Sequence, residues 1–283
     1  PVSPNYRCRS WRRRLTARWT TQPRLRRLRV ANRRPPERDV APVVQRIRLK
    51  YARRGRLRFS SHRDFQRALE RAIRRARLPI GFSAGFSPHP KISYSNSAPT
   101  GAASEAEYAE IGLTTQWDPE AVRSALDEAL PQGLDVVDAV EARSSDFAQR
   151  LEASHWRIEL PGVDRDTLIA ARDAFWASDH IEVQRMAKSG LRTFDAREPV
   201  VRLDVAPEAE VADATGQGQP CAILDAVVRH VTMTVRPDDV LAALRRVADL
   251  EPPVPPRVTR LAQGPLDSAT CTVGDPLAPD REV

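Results

Sequence analysis

The stretch VVQRIRLKYARRGRLRFSSHRDFQRALERAIRRARLPI, residues 43–80, decides the fold. Val43, Ile47, Leu49 and Tyr51 alternate with Gln45, Arg46, Arg48 and Lys50 closely enough to read as a strand with one face inward. Arg53, Arg54 and Gly55 make a turn, and Leu57 and Phe59 carry the chain on in extended form. The period then changes. Ser61 stands three residues before Asp64, the spacing of a capping box with Asp in place of Glu. Phe65, Ala68, Leu69, Ala72, Ile73 and Ala76 recur at helical spacing and define a buried stripe, which Pro79 stops. The opposite side carries Arg63, Arg67, Arg71, Arg74 and Arg75, with only Glu70 opposing.

Outward from that stretch, Gly81, Gly85, Pro88 and Pro90 mark a loop, Lys91–Ser95 a short strand, and Pro99–Gly101 a turn. A strand follows from about Glu107 to Thr114. Asp118 and Pro119 open a second helix in the favoured cap and first positions, and Leu134–Val140 reads as a strand. The order β-α-β-β-α-β is the split βαβ, or ferredoxin-like, arrangement. It returns loosely after His155: strand Trp156–Leu160, helix Asp164–Ala177, strands Ile181–Met186, Val200–Val205 and Ala222–Val235, helix Pro237–Leu250, strand Arg257–Leu261. The expected class is α+β, with two packed ferredoxin-like modules at 43–145 and 150–262. Residues 206–220 are expected as an exposed loop. Residues 263–283, containing Pro and Asp, are expected as a disordered tail.

Charge is unevenly placed. Residues 1–40 hold 13 Arg against Glu37 and Asp39, or +11; residues 41–94 hold 14 basic groups against Asp64 and Glu70, or +12; the remaining 189 residues carry −15. The first module is therefore basic and the second acidic, and the overall +8 describes neither. Residues 1–42 read as an Arg-rich disordered leader: a nucleic-acid-binding arm, a solvated tail, or upstream sequence translated from a misassigned start. With 41% hydrophobic residues in periodic blocks, the chain as a whole is neither disordered nor fibrous. No apolar run reaches the ~18 to 20 residues of a membrane span and no signal-peptide segment follows the basic start. A soluble, cytoplasmic protein without a membrane partner is expected. Cys8, Cys221 and Cys271 lie far apart, so no disulfide framework or cysteine-held metal is encoded.

The residues able to carry chemistry cluster in Phe59–Asp64 and Gly85–Tyr94. If both segments meet at one concave edge, Arg58, Ser61, His62, Ser87, His89, Lys91 and Tyr94, with Arg71, Arg74 and Arg75 on the helix, form an RNA- or phosphate-binding set. The cations neutralise phosphate, the hydroxyls donate to its oxygens, and Phe86 or Tyr94 stacks on a base. His62 and His89 are the candidate catalytic residues, as a general acid and base pair for phosphodiester cleavage. Each also has a plain reading, His62 as a solvated residue and Asp64 as a cap. A metal site from His62, Asp64 and His89 ranks lower; no metal and no cofactor are expected. No Walker A loop, GxSxG elbow, HExxH or complete GxGxxG is present. Lys188–Arg197 reads either as a ligand-reaching segment or as a hairpin with cross-strand ion pairs.

At Phe59-Ser-Ser-His62-Arg-Asp64, Gly85-Phe-Ser-Pro-His89-Pro-Lys91-Ile-Ser-Tyr94, Pro99-Thr-Gly101 and Ser104-Glu-Ala-Glu107-Tyr108 the chain resembles the radical SAM-linked family of uncharacterised bacterial proteins. Members are fused behind a radical SAM enzyme or encoded separately beside one. Lys188–Arg197 and Arg236–Val240 fit as well, and coverage runs from about residue 43 to 262. The departure is Asn96-Ser97, where more apolar or Pro-rich residues are expected. The leader has no counterpart in the family, which favours the misassigned start. Without three close cysteines this chain is not itself a radical SAM enzyme. The resemblance implies an RNA-related role: an RNA-binding or substrate-presenting accessory to a separately encoded radical SAM enzyme that modifies tRNA or rRNA. The alternatives are a metal-independent RNA-processing enzyme with His62 as base, or a scaffold whose acidic second module docks a protein.

Overall fold

Strand β1 (Gln45–Arg53) is followed by a single 3-10 turn at Gly55–Phe59, where extended chain was expected. Gly55 takes a φ of +54°, folding the chain back so that Leu57 packs on the core while Phe59 stays exposed. This computed structural model describes residues 40–187, 190–212 and 218–281, so the expectations for residues 1–39 lie outside the described residues. Helix α1 (His62–Arg75) begins with the capping box its sequence encodes. The Asp64 N–H donates to Ser61 Oγ at 3.2 Å, and the Ser61 N–H donates to Asp64 Oδ2 at 3.2 Å. Phe65, Ala68, Leu69, Ala72 and Ile73 are buried, as the stripe requires.

The first half continues through β2 (Ile92–Ser95), β3 (Ala103–Leu113), α2 (Pro119–Ala129) and β4 (Leu134–Glu141). Its strands lie antiparallel in the order β4-β1-β3-β2, the order of the split βαβ arrangement. After the helical turn α3 (Phe147–Arg150) come β5 (Ala153–Pro161), α4 (Arg165–Ala177), β6 (Glu182–Ala187), β7 (Gly190–Asp195), β8 (Val200–Ala212), β9 (Gly218–Arg229), α5 (Pro237–Ala248) and β10 (Arg257–Gly264). β6 and β7 form a separate hairpin, and the other strands repeat the order as β10-β5-β9-β8. In that hairpin Arg185 stands opposite Arg192 and pairs with Asp239 on α5. β10 pairs antiparallel with β5 and, at Thr259 and Arg260, parallel with β3. The two halves are thereby one eight-stranded mixed sheet.

Ile47, Leu49, Phe65, Leu69, Ile111 and Leu126 belong to one apolar core, and Ile158, Leu160, Leu168, Phe175, Leu224 and Leu244 to a second. Two expectations need correction. Residues 206–220 are not simply an exposed loop: the β8–β9 ladder continues to Ala212 and Gly218, with a register shift between Ala206 and Ala209 that takes in Pro207, which lacks an N–H. The C-terminal segment is not a disordered tail over its described length. β11 (Leu266–Asp267) and β12 (Thr272–Val273) pair, α6 (Ala278–Arg281) follows, and Leu277 and Asp280 are buried. What the Pro and Asp content concealed is a long-range partner. Arg48, expected on an outward face, is 1% exposed and donates to Asp280 at 2.6 Å and to Glu110 at 3.1 Å. Among the described residues no helix is long and apolar enough to cross a membrane.

Candidate functional site

Two groups emerge from the predicted site residues, one at each end of β2. At the far end, Ser61 holds the α1 cap and His62, the first residue of α1, places Nδ1 3.0 Å from Ser97 Oγ and Nε2 3.1 Å from Gln66 Nε2. Tyr94 meets the His62 ring edge to face at 5.0 Å and the Phe65 ring at 5.9 Å. Burial, with Glu70 adding to it, pushes the Tyr94 hydroxyl well above its ordinary value, so it stays protonated. Arg58 accepts the Gly101 N–H through its carbonyl at 2.8 Å and lays its guanidinium 4.7 Å from the Phe59 ring centre. Phe59 itself is 61% exposed.

At the near end, the Ser83 N–H donates to the His89 carbonyl at 2.9 Å and the His89 N–H to Ser83 Oγ at 3.0 Å, closing the loop that carries exposed Ser87. The Lys91 N–H donates to the Gly81 carbonyl at 2.8 Å. Its side chain lines a shallow cavity of about 270 Å³ beside Arg46 and Glu110. At ~3.3 Å per residue, Lys91 lies about 13 Å along β2 from Ser95. The fold thus brings Ser61, His62 and Tyr94 together and keeps Ser87, His89 and Lys91 at the other end. Among the described residues no contact joins His62 to His89, and no three His, Cys, Asp or Glu side chains gather as a metal site.

Arg63, Arg67, Arg71 and Arg74 follow one stripe of α1, about 16 Å long at ~1.5 Å per residue. All four are exposed, as is Arg75, which donates to the Ala129 carbonyl at 3.3 Å. None of the five forms an ion pair among the described residues, whereas Arg157, Arg172, Arg185, Arg245 and Arg257 of the second half are each matched to a carboxylate. Arg63 and Arg67 draw on Asp64 at the helix start, and α1 keeps an excess of exposed positive charge.

Beside His62 lies a feature that sequence reasoning missed. The segment Asn96–Ala102 is fixed from beneath by three buried charged residues. Arg53 donates to the carbonyls of Ala98, Pro99 and Ala102 at 2.9, 3.1 and 3.2 Å. Arg260 of β10 donates to the Asn96 carbonyl at 2.6 Å and pairs with Glu107 of β3 at 3.3 Å, and Glu107 accepts the Ala98 N–H at 3.2 Å. Asn96 sits at a φ of +40°, which Asn tolerates better than most residues. The segment so held forms one wall of a cleft of about 240 Å³ between the halves, with Ser154 and Trp156 of β5 and His230 and Arg236 around it. His230 Nδ1 lies 2.7 Å from the Leu151 carbonyl, which requires the proton there, so Nε2 accepts from Ser154 Oγ at 2.8 Å. Burial first, with Arg260 adding to it, holds the His230 imidazole below its ordinary value. The one signal in the sequence was Asn96-Ser97, noted only as a departure.

The sheet, the arginine stripe and the cleft define a class: an α+β protein of two similarly ordered halves fused through one strand, carrying one helix with an exposed arginine stripe. Residues 46–237 match DUF2344, described as an uncharacterized protein conserved in bacteria, and the chain belongs to that family. No curated protein sequence matches it significantly. Among solved structures, Thermus thermophilus Cse3 bound to an RNA representing a pre-cleavage complex aligns over 71% of this chain and 91% of its own at 14% identity, with a TM-score of 0.19. A score that low carries no argument.

Proposed function

We propose that the chain is a cytoplasmic RNA-binding or substrate-presenting accessory to a separately encoded radical SAM enzyme that modifies tRNA or rRNA. The observation that carries the RNA part is the stripe of Arg63, Arg67, Arg71 and Arg74, exposed and making no ion pair among the described residues. Such a face attracts a polyanion and releases its counterions on binding. Phe59 beside it, already paired with Arg58, offers a ring face on which an unpaired base can stack. To the same role we assign the predicted Arg58, Ser61, His62, Arg71, Arg74, Arg75 and Tyr94, with Ser87, His89 and Lys91 as an outlying group. The radical SAM part rests on the sequence resemblance at Phe59–Asp64 and Gly85–Tyr94.

The test is binding of tRNA and rRNA fragments by the full chain and by the triple variant Arg67→Glu, Arg71→Glu, Arg74→Glu. Residues 1–39 are common to both proteins, so their charge cancels in the comparison. The expected result is a loss of at least tenfold in the variant; equal affinity refutes the reading. Co-purification of a radical SAM enzyme with the tagged full chain tests the partner.

A further inference from the structure

We propose that the cleft between the two halves is a second binding site, which takes the phosphate group of a single nucleotide. Its walls carry polar groups from four chain segments and no carboxylate: Asn96 and Ser97 after β2, Ser154 on β5, His230 and Arg236 between β9 and α5, and Arg260 on β10. Ser154 and His230 spend their protons on each other and on the Leu151 carbonyl, which leaves Asn96, Ser97 and the arginines as the donors. The two arginines differ in state. Arg260 is 4% exposed, shares its charge with Glu107, and has no acceptor for its buried Nε–H. Arg236, at the rim, is exposed and makes no ion pair among the described residues. The nearby Asp239 carboxylate accepts the Arg236 backbone N–H and pairs with Arg185, so it offsets the Arg236 charge only in part. What remains is the exposed charge of Arg236, only partly offset, beside the Asn96 amide, the Ser97 hydroxyl and the partnerless Arg260 Nε–H, which suits an anion held by charge-assisted hydrogen bonds.

Size and lining narrow the ligand. At about 240 Å³ the cleft falls below the ~300 Å³ at which sites for drug-sized ligands begin, so it admits one phosphate with part of its sugar or base and not a dinucleotide. Trp156, Val228 and Val235 supply an apolar wall against which the carbon framework of a nucleotide can pack. Sulfate or inorganic phosphate would use only the donors. The nucleotide can be free or part of an RNA chain, and Ser97, which contacts both this cleft and His62, makes the cleft continuous with the start of α1.

The experiment measures binding of inorganic phosphate, uridine 5′-monophosphate and a short single-stranded RNA to the full chain by calorimetry and thermal shift. The wild type is compared with Arg236→Gln, Thr234→Ala and the α1 triple variant. Arg236 and Thr234 are exposed, so neither substitution threatens the fold. Uridine monophosphate should raise the melting temperature of the wild type. Arg236→Gln should weaken its binding about tenfold or more, the scale of one charge-assisted hydrogen bond, and the α1 variant should bind it like wild type. Competition between RNA and uridine monophosphate identifies an RNA nucleotide as the source; its absence identifies the free nucleotide. The proposal is overturned if neither phosphate nor nucleotide binds at millimolar concentration, or if Arg236→Gln binds as tightly as wild type. RNA binding that survives the α1 substitutions refutes only the basic-helix reading, because nucleotide binding in the cleft is read separately.

Discussion

Arg48 and Asp280 are 232 residues apart in sequence and meet at 2.6 Å, both almost fully buried. Asp280 also accepts from Arg150 at 2.9 Å. Removing the carboxylate leaves two guanidinium groups short of a partner, and breaking a buried pair in this way costs about 3–5 kcal/mol. Asp280→Ala should therefore lower the urea midpoint strongly. Arg281→Ala, whose ion pairs with Asp138 and Asp275 are partly exposed, should cost about 1 kcal/mol or less. Equal effects from the two would show that the C-terminal segment is not anchored through Asp280.

The basic helix makes a quantitative claim about salt. Each phosphate contact on a single strand contributes about 0.7 to the slope of log K against log salt, so losing three arginines should flatten that slope by about 2. Titrations at several salt concentrations with wild type and the triple variant check this. An unchanged slope would place the phosphate contacts off α1.

His230 gives a pH dependence with a definite sign. Burial lowers its folded value, while the unfolded chain takes up the proton near pH 6.5. Stability is whole above that pH and declines as pH falls from about 6.5 toward the lowered folded value, because only the unfolded state binds the proton there. His155, also lowered by burial, adds to the same trend. His230→Gln should shrink the decline between about pH 7.5 and 5.5 in urea melts. A decline of undiminished size would assign the effect to other groups.

Asp249 closes α5 in the left-handed region, at a φ of +51°, and is exposed. Glycine takes that conformation without the Cβ penalty, so Asp249→Gly should stabilise the protein by about 0.5–1 kcal/mol. Thermal melts decide, and a lower melting temperature would contradict it.

Local chemistry made α1 legible: Ser61, Asp64 and the Phe65–Ala76 stripe lie within one short segment and state its start, its inner face and its charge. The strand order of the first half agrees with its order of elements, whereas in the second half β6, expected as one more strand of the repeat, leaves the sheet for a hairpin with β7. The turn at Gly55–Phe59 was hidden because Leu57 and Phe59 alternate as a strand does while Gly55 redirects the backbone. The cleft was hidden for a different reason. Arg53, Glu107, Arg260 and His230 acquire their partners only when β1, β3, β5, β9 and β10 are neighbours, and a lone arginine on a strand carries no mark of burial.

The chain order also sets a timetable for synthesis. β1 emerges from the ribosome with Arg48 in place; Glu110 of β3 follows 62 residues later, yet Asp280, its buried partner, is added only 232 residues later. At ~5–20 residues per second that interval is roughly 10–50 seconds. For most of it the edge of β3 at Ala103 and Ser104, where β10 will pair, stays open as well. The nascent first half thus waits with Arg48 short of its buried partner and with an unpaired strand edge, and its yield in cells should depend on chaperone supply more than the finished fold would suggest.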